Sequence, residues 1–222
     1  MRTLAVTGFV TQLTRFRFVN CFLVREDDGL TLVDTTMNAA DGIVAAAERI
    51  DAPIVRIALT HGHGDHVGSL DALKQRLGDS VQVLMPEADA QIHAGERAKT
   101  KGSWPKLSTV PDVRLRGGER IGSLEVVPSP GHTPGHVSFV DTRDRTLIAG
   151  DVFTSYGRVE VSNHFYWRFP FAAMATEDGA QDVESARALR ALDPSLLLVG
   201  HGPAARRPVE AMERAIARAA RS

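Results

Sequence analysis

The sequence of 222 residues lacks several features that would place it in particular classes of protein. Its single cysteine, Cys21, allows no disulfide framework, and the apolar run at 18–24 is typical of a buried thiol. No stretch approaches the ~18 consecutive apolar residues of a membrane span. The first eight residues also lack the apolar core of a secretion signal. We therefore expect a cytoplasmic protein with no membrane partner.

The sequence also has no excess of charge of either sign. Its 26 basic and 27 acidic residues are spread along the chain and give a formal net charge of -1. A nucleic-acid groove needs clustered Lys and Arg, so we expect a small-molecule substrate and no nucleic acid. No linker rich in Pro, Gly or Ser interrupts the chain, which predicts a single domain over residues 1–222. Monomer and homodimer both stay open.

Hydrophobic patterns predict a mixed α/β (α+β) fold. Short apolar runs bounded by turn residues indicate strands, and apolar residues spaced three and four apart indicate helices. The predicted strands cover 4–13, 16–25, 30–34, 54–59, 81–85, 113–115, 118–127, 137–140, 145–151 and 196–199, and the predicted helices begin near 38, 67, 86, 178 and 207. Residues 95–111 show no period and are expected to form a long surface loop.

The densest cluster of reactive side chains follows the predicted strand at 54–59. Residues 60–68 read Thr-His-Gly-His-Gly-Asp-His-Val-Gly. The candidate ligands are His61, His63, Asp65 and His66. Imidazole and carboxylate together suit Zn²⁺, with Fe, Mn or Co as alternatives. The two intervening glycines permit backbone angles that let these side chains converge, so we predict a metal site on this strand-to-helix turn.

Three further polar residues lie beside glycine where apolar strands end. They are His132 in Pro-Gly-His-Thr-Pro-Gly-His, Asp151 in Ala-Gly-Asp, and His201 in Val-Gly-His-Gly. Each motif repeats one pattern, in which a buried strand delivers one potential ligand at its tip and glycine allows close approach. We expect these three residues to join the same centre.

With these motifs in this order, from the strand at 32–35 through His201, the sequence resembles the metallo-β-lactamase-fold hydrolases, in particular the lactonase and glyoxalase II-like branch. The resemblance implies a four-layer αβ/βα sandwich, in which two mixed β-sheets are flanked by helices and metals lie at one edge between the sheets. It implies a first metal site of His61, His63 and His132, a second of Asp65, His66 and His201, a bridging Asp151, and Asp34 orienting a ligand histidine.

The chemistry implied is that of a metal-dependent hydrolase with two Zn²⁺ per chain, or Fe or Mn in their place. Two cations ~3.5 to 4 Å apart hold a bridging hydroxide at neutral pH, and this hydroxide attacks a carbonyl carbon. By the resemblance, Asp65 is the catalytic residue that transfers a proton after the attack. The expected substrate is a carboxylic ester, lactone or thioester of a small molecule with an apolar portion.

Two other activities stay open. One is weak or promiscuous β-lactam hydrolysis, although β-lactamases of this family are normally secreted. The other is an iron-loaded oxidoreductase or a non-catalytic metal-binding protein. The complete second-site ligand set favours hydrolysis, because dioxygenase relatives usually lose ligands at that site.

Aromatic residues are scarce, with two Trp, two Tyr and nine Phe, yet five of them lie within residues 163–171. This aromatic segment follows Asp151 in the region where the family places substrate loops. It is predicted to line an apolar pocket, with His164, Tyr166 and Trp167 as candidate substrate contacts. A packing or dimer-contact role is equally favoured.

Three other side chains near these motifs also receive predictions. Tyr156 is a candidate donor to the oxyanion or leaving group, because lactone-cleaving relatives place a Tyr soon after the matching Asp, at a different spacing. His136 is predicted to have a structural hydrogen-bonding role. His93, far from any motif, is predicted to lie at or near the surface.

Overall fold

The computed structural model describes residues 1–221, which form two compact units. The first unit comprises residues 1–97 and 103–115, and the second comprises residues 98–102 and the described chain from 116 onward. The assignment of residues 1–222 to one domain stays a prediction. Within the described residues, no helix is long and apolar enough to cross a membrane.

The first unit is built on a seven-stranded mixed sheet. Its elements are β1 (Arg2–Ala5), β2 (Val10–Arg15), β3 (Val19–Glu26), β4 (Gly29–Val33), α1 (Ala40–Ile50), β5 (Ile54–Ala58), α2 (Gly64–Val67), α3 (Leu70–Leu77), β6 (Gln82–Pro86), α4 (Glu87–Ala94) and β7 (Val113–Leu115). The strand order is β1-β2-β3-β4-β5-β6-β7. Strands β1 to β4 pair antiparallel, whereas β4 to β7 pair parallel, and each parallel connection contains a helix.

The core of the first unit lies between this sheet and its helices. Leu32 of β4, Ile57 of β5 and Val83 of β6 are fully buried and pack with Ile43 of α1 and Leu73 of α3. These strands are nearly continuous apolar runs, as expected for parallel strands in a covered sheet. Cys21 belongs to the same core, as predicted, and burial raises the pKa of its thiol well above its ordinary value.

The second unit contains a six-stranded mixed sheet and a two-stranded ribbon. Its elements are β8 (Arg120–Ile121), β9 (Leu124–Pro128), β10 (Val137–Asp141), β11 (Thr146–Ile148), β12 (Phe153–Thr154), β13 (Glu160–Val161), α5 (Phe171–Ala175), α6 (Gly179–Ala191), β14 (Leu196–Leu198), β15 (Ala205–Arg206) and α7 (Val209–Ala219). The sheet order is β15-β14-β11-β10-β9-β8, and β12 pairs with β13. Strands β11 and β14 are parallel, so their carboxyl ends share one edge.

Two predicted strands are interrupted by turns that the hydrophobic pattern did not reveal. The predicted strand at 4–13 is split between β1 and β2, because the Thr7 hydroxyl accepts hydrogen bonds from the N–H groups of Phe9 and Val10, both 3.0 Å away. The predicted strand at 118–127 is split between β8 and β9 at Gly122, whose φ of 59° allows the turn.

A fully buried carboxyl lies in the first turn of α6. Neither carboxylate oxygen of Asp182 has a hydrogen-bond partner among the described residues. The backbone of Asp182 also lies against Gly131, where an added Cβ would be 2.3 Å from the Asp182 nitrogen. Burial, with smaller contributions from the charges of Asp151 and Asp178, raises the pKa of Asp182 well above its ordinary value.

We expect Leu32→Ala to lower the free energy of unfolding by about 2–5 kcal/mol, because it removes a fully buried side chain and leaves a cavity. The matched control is Leu4→Ala on edge strand β1, where the side chain is 47% exposed. This control should change stability by no more than about 0.5 kcal/mol. Urea unfolding measures both, and equal losses would contradict the assignment of Leu32 to the core.

A second prediction concerns pH. Because the folded-state pKa of Asp182 lies above the unfolded value of about 3.9, the folded protein favours the protonated acid. Its contribution to stability is complete below about pH 4 and is lost as the pH rises through the folded-state pKa. Asp182→Asn should therefore be more stable than the parent at neutral and alkaline pH, and the gain should shrink as the pH falls.

Urea unfolding of chelator-treated protein across this pH range measures the effect. Glu184→Gln, at an exposed position of the same helix, is the control and should reproduce the parent curve. A parent-minus-variant difference that does not change with pH would refute the raised pKa.

Candidate metal centre

In the first unit, the histidine-rich loop connects β5 to α2. Ligand atoms lie within 4.8 Å of each other in three pairs, His61 with His63, His61 with His66, and Asp65 with His66. The three imidazoles are buried, and Asp65 is half-buried with 28% of its side chain exposed. The loop and α2 therefore bring three imidazoles and one carboxylate together, and their role as metal ligands stays a prediction.

Asp34 fixes one of these imidazoles. It directly follows β4, with φ of 60°, a left-handed conformation that Asp adopts more readily than most residues. Its buried carboxylate accepts from the Thr60 N–H at 2.8 Å, from the Thr60 hydroxyl at 2.8 Å and from His66 Nδ1 at 2.8 Å. Because Nδ1 of His66 carries the donated proton, Nε2 is the nitrogen with a lone pair for a metal.

Thr60 fixes a second imidazole, and sequence reasoning did not identify it. Its Oγ1 lies 3.0 Å from Nδ1 of His61. A hydroxyl has one proton, and that proton is donated to Asp34, so the oxygen accepts from Nδ1–H of His61. Nε2 of His61 then has the lone pair. The available signal was a hydroxyl residue directly before the first histidine of the motif.

In the second unit, Asp151 and His201 meet because they follow parallel neighbours. Asp151 lies just beyond β11 and His201 just beyond β14, and Nε2 of His201 is 3.1 Å from Oδ2 of Asp151. His132 comes from the loop between β9 and β10, with its Nε2 3.5 Å from the same oxygen. All three side chains are buried, and their role as metal ligands stays a prediction.

Thr176 orients His132 as Thr60 orients His61. Its Oγ1 lies 2.9 Å from Nδ1 of His132 and donates to the carbonyl of Ser162 at 2.7 Å. The hydroxyl proton is thus committed, so Thr176 accepts from Nδ1–H of His132 and leaves the Nε2 lone pair for a metal. Thr176 lies outside every motif, and no signal in the sequence marked it.

The other predicted histidine roles can be read from their contacts. His136 has both ring nitrogens in hydrogen bonds, since Nδ1 lies 2.9 Å from Ser129 Oγ and Nε2 accepts from the Asp151 N–H at 3.1 Å. This is the structural role predicted for it. His93 is half-buried and contacts the histidine-rich loop through the carbonyl of Gly62.

The candidate substrate residues occupy different environments. Trp167 is 70% exposed, whereas Tyr166 is buried with the Arg158 guanidinium 5.2 Å from its ring centre. His164 is partly buried, and its Nε2 lies 3.7 Å from a carboxylate oxygen of the buried Glu160. These contacts anchor part of the aromatic segment while Trp167 faces solvent.

Phe169 is the member of the aromatic segment that contacts a candidate ligand. Its ring centre lies 4.6 Å from that of His201 and 5.1 Å from that of Tyr156. Burial raises the pKa of Tyr156 to about 12, so the phenol stays protonated and able to donate a hydrogen bond. Phe169 was not among the predicted site residues, although it belongs to the segment that was singled out.

The residues of each unit suit a divalent metal. The first unit supplies imidazoles with anchored Nδ1 atoms and a partly exposed carboxylate, and the second supplies two imidazoles around one buried carboxylate. Nitrogen and carboxylate donors of this kind bind Zn²⁺ and also suit iron. Outer hydrogen bonds to the remote ring nitrogen are typical of metal-binding histidines.

Comparison with known proteins identifies the family. The model of the metallo-beta-lactamase superfamily matches residues 14–201. Uncharacterized protein YobT of Bacillus subtilis is 44% identical over 223 residues, covering 95% of each chain. Hydroxyacylglutathione hydrolase GloC of Haemophilus influenzae is 26% identical over 144 residues, covering 62% of this chain and 68% of GloC.

Comparison of structures agrees with the sequence match. TTHA1623, solved in a di-iron-bound form, is 26% identical and has a TM-score of 0.70, with 91% of this chain and 96% of that chain covered. The two mixed sheets with their helices are those of the predicted fold. The chain therefore belongs to the metallo-beta-lactamase superfamily, has its fold, and is a metallo-hydrolase of that family.

Proposed function

We propose that this protein is a dinuclear zinc hydrolase that cleaves a carboxylic ester, lactone or thioester of a small molecule with an apolar portion. The observation that carries the proposal is that three candidate ligand histidines share one tautomer, with the proton on Nδ1. In each, a protein oxygen holds Nδ1–H, which leaves the Nε2 lone pair for a metal.

We assign the ligands of both units to one centre. One metal would be held by His61, His63 and His132 and a second by Asp65, His66 and His201, with Asp151 as a further carboxylate ligand of the centre. The proximity of these atoms within each unit supports the assignment, as does a family match that runs through every motif.

When bound, two zinc ions supply an activated water at neutral pH and polarise the scissile carbonyl. The chain supplies the proton chemistry and the orientation. Asp65 is itself a proposed ligand, is half-buried, and has an oxygen 3.9 Å from Nε2 of His66. Its carboxylate can therefore accept a proton from the reacting group at the metal centre. Tyr156, whose phenol stays protonated, is suited to donate a hydrogen bond to the developing oxyanion or leaving group.

The aromatic segment supports an apolar substrate portion. Trp167, Phe165 and Phe171 are each at least 66% exposed, and the buried ring of Phe169 contacts the rings of both Phe171 and His201. Such a surface next to a candidate ligand suits an acyl chain or ring better than a charged group. The name of GloC gives hydroxyacylglutathione, a thioester, as its substrate, which supports including thioesters.

Iron is the alternative metal, because TTHA1623 was solved in a di-iron-bound form. Iron bound without hydrolysis of any ester, lactone, thioester or β-lactam would favour a redox or non-catalytic role.

We further propose a small-molecule substrate, no nucleic acid or membrane partner, a cytoplasmic location, and a monomer or homodimer. Light scattering of the purified protein distinguishes the last two.

We expect His61→Ala and Asp151→Ala to lower bound metal and hydrolysis together, because each removes a proposed ligand. The loss of kcat/KM should exceed about a hundredfold, the upper end for partners that act only through a ligand. Elemental mass spectrometry of the purified proteins and a screen of lactones, thioesters and aryl esters measure both quantities. Asp193→Ala, which removes an exposed carboxylate, is the control. Full activity in a metal-free variant would refute the mechanism.

We expect Trp167→Ala to raise KM about tenfold for substrates with a long apolar portion, because burying a large apolar side chain against substrate contributes about 1.5–3 kcal/mol. The control is Phe16→Ala, which removes an exposed aromatic of the first unit. Unchanged KM and kcat for every accepted substrate would rule out Trp167 as a substrate contact.

A further inference from the structure

The peptide groups on both sides of Gly62, between two proposed ligands, are held by one helix. The Gly62 N–H donates to Asp89 Oδ2 at 2.8 Å, and the Gly62 carbonyl accepts from His93 Nε2 at 2.8 Å. Asp89 and His93 are four residues apart in α4, so they lie on one face of that helix. This face of α4 therefore holds the backbone between His61 and His63 through two hydrogen bonds.

Trp104 packs against the same place. Its ring centre lies 5.1 Å from that of His63 and 5.3 Å from that of His93. A Cβ added at Gly62 would lie 2.5 Å from Trp104 Cζ3 and 2.8 Å from His93 Nε2. Only glycine fits at this position, and the predicted surface loop at 95–111 contributes a buried side chain here.

Burying the polar groups at this site costs free energy of desolvation, which an apolar packing contact would not. Asp89 is fully buried, and burying a carboxylate is unfavourable unless hydrogen bonds replace its water. At the same site, two backbone groups that a loop would otherwise leave to solvent are satisfied by side chains. The arrangement restricts the dihedral angles on both sides of Gly62, and these angles set where His61 and His63 point.

We infer that Asp89 and His93 are positioning residues for metal binding. They bind no metal themselves but hold the Gly62 backbone so that the imidazoles of His61 and His63 are preoriented before a metal arrives. The inference rests on the proposed function, since it requires that these histidines bind metal.

The test is zinc affinity of the full-length metal-free protein, measured by competition with a chromogenic chelator and without any activity assay. Asp89→Ala and His93→Phe each remove one hydrogen bond to Gly62, and His93→Phe keeps a ring of similar size. Each should raise the zinc dissociation constant about tenfold to a hundredfold. Asp89→Asn and His93→Gln keep an acceptor or a donor, respectively, and should recover much of the affinity.

Gln91→Ala, between the two positions on the same helix, is the control and should match the parent. Cobalt absorption spectra give a second readout, because misplaced imidazoles change the ligand field even where binding survives. If an alanine variant fails to fold, the comparison of His93→Phe with His93→Gln decides. Parent-like affinity and spectrum in folded Asp89→Ala and His93→Phe would overturn the positioning role of these residues and leave the proposed function standing. A parent that binds no metal would overturn the proposed function as well.

Discussion

The geometry of the histidine-rich loop depends on the buried carboxylate of Asp34. Two hydrogen bonds from Thr60 and one from His66 converge on it, so one side chain at the end of β4 fixes both the start of the loop and a ring in α2. The parallel pairing of β4 with β5 makes this possible, because it brings Asp34 beside the residues that follow β5. Sheet topology thus determines which nitrogen of His66 can bind a metal.

The second unit also orients its candidate ligands, but with different strands and side chains. Parallel strands β11 and β14 bring Asp151 and His201 to one edge, and a threonine hydroxyl rather than a carboxylate orients His132. Threonine can do this because its single proton is committed to a carbonyl, which leaves its oxygen as an acceptor. In both units, candidate ligand histidines are therefore oriented by groups that lie outside the proposed ligand sets.

Much of this could be predicted from the sequence, because the ligands lie at strand tips next to glycine and recur in one order. His61, His66, Asp151 and His201 were selected as candidate ligands in this way, and their role in binding metal stays a prediction. The orienting residues Thr60 and Thr176 were not. Thr60 directly precedes His61, but adjacency in sequence does not show that a hydroxyl faces the ring, and Thr176 lies 44 residues from His132. The interrupted strand at 4–13 was missed for a related reason, because a threonine side chain competed with the ladder for backbone hydrogen bonds.

The proposed function requires that fixed Nδ1 protons commit Nε2 of the candidate ligand histidines to metal. A crystal structure of the zinc-loaded protein tests it most directly. We expect two zinc ions, with His61, His66 and His132 each coordinating through Nε2 while Nδ1 keeps its contact with Thr60, Asp34 or Thr176. Coordination through Nδ1, or zinc bound away from these residues, would contradict it.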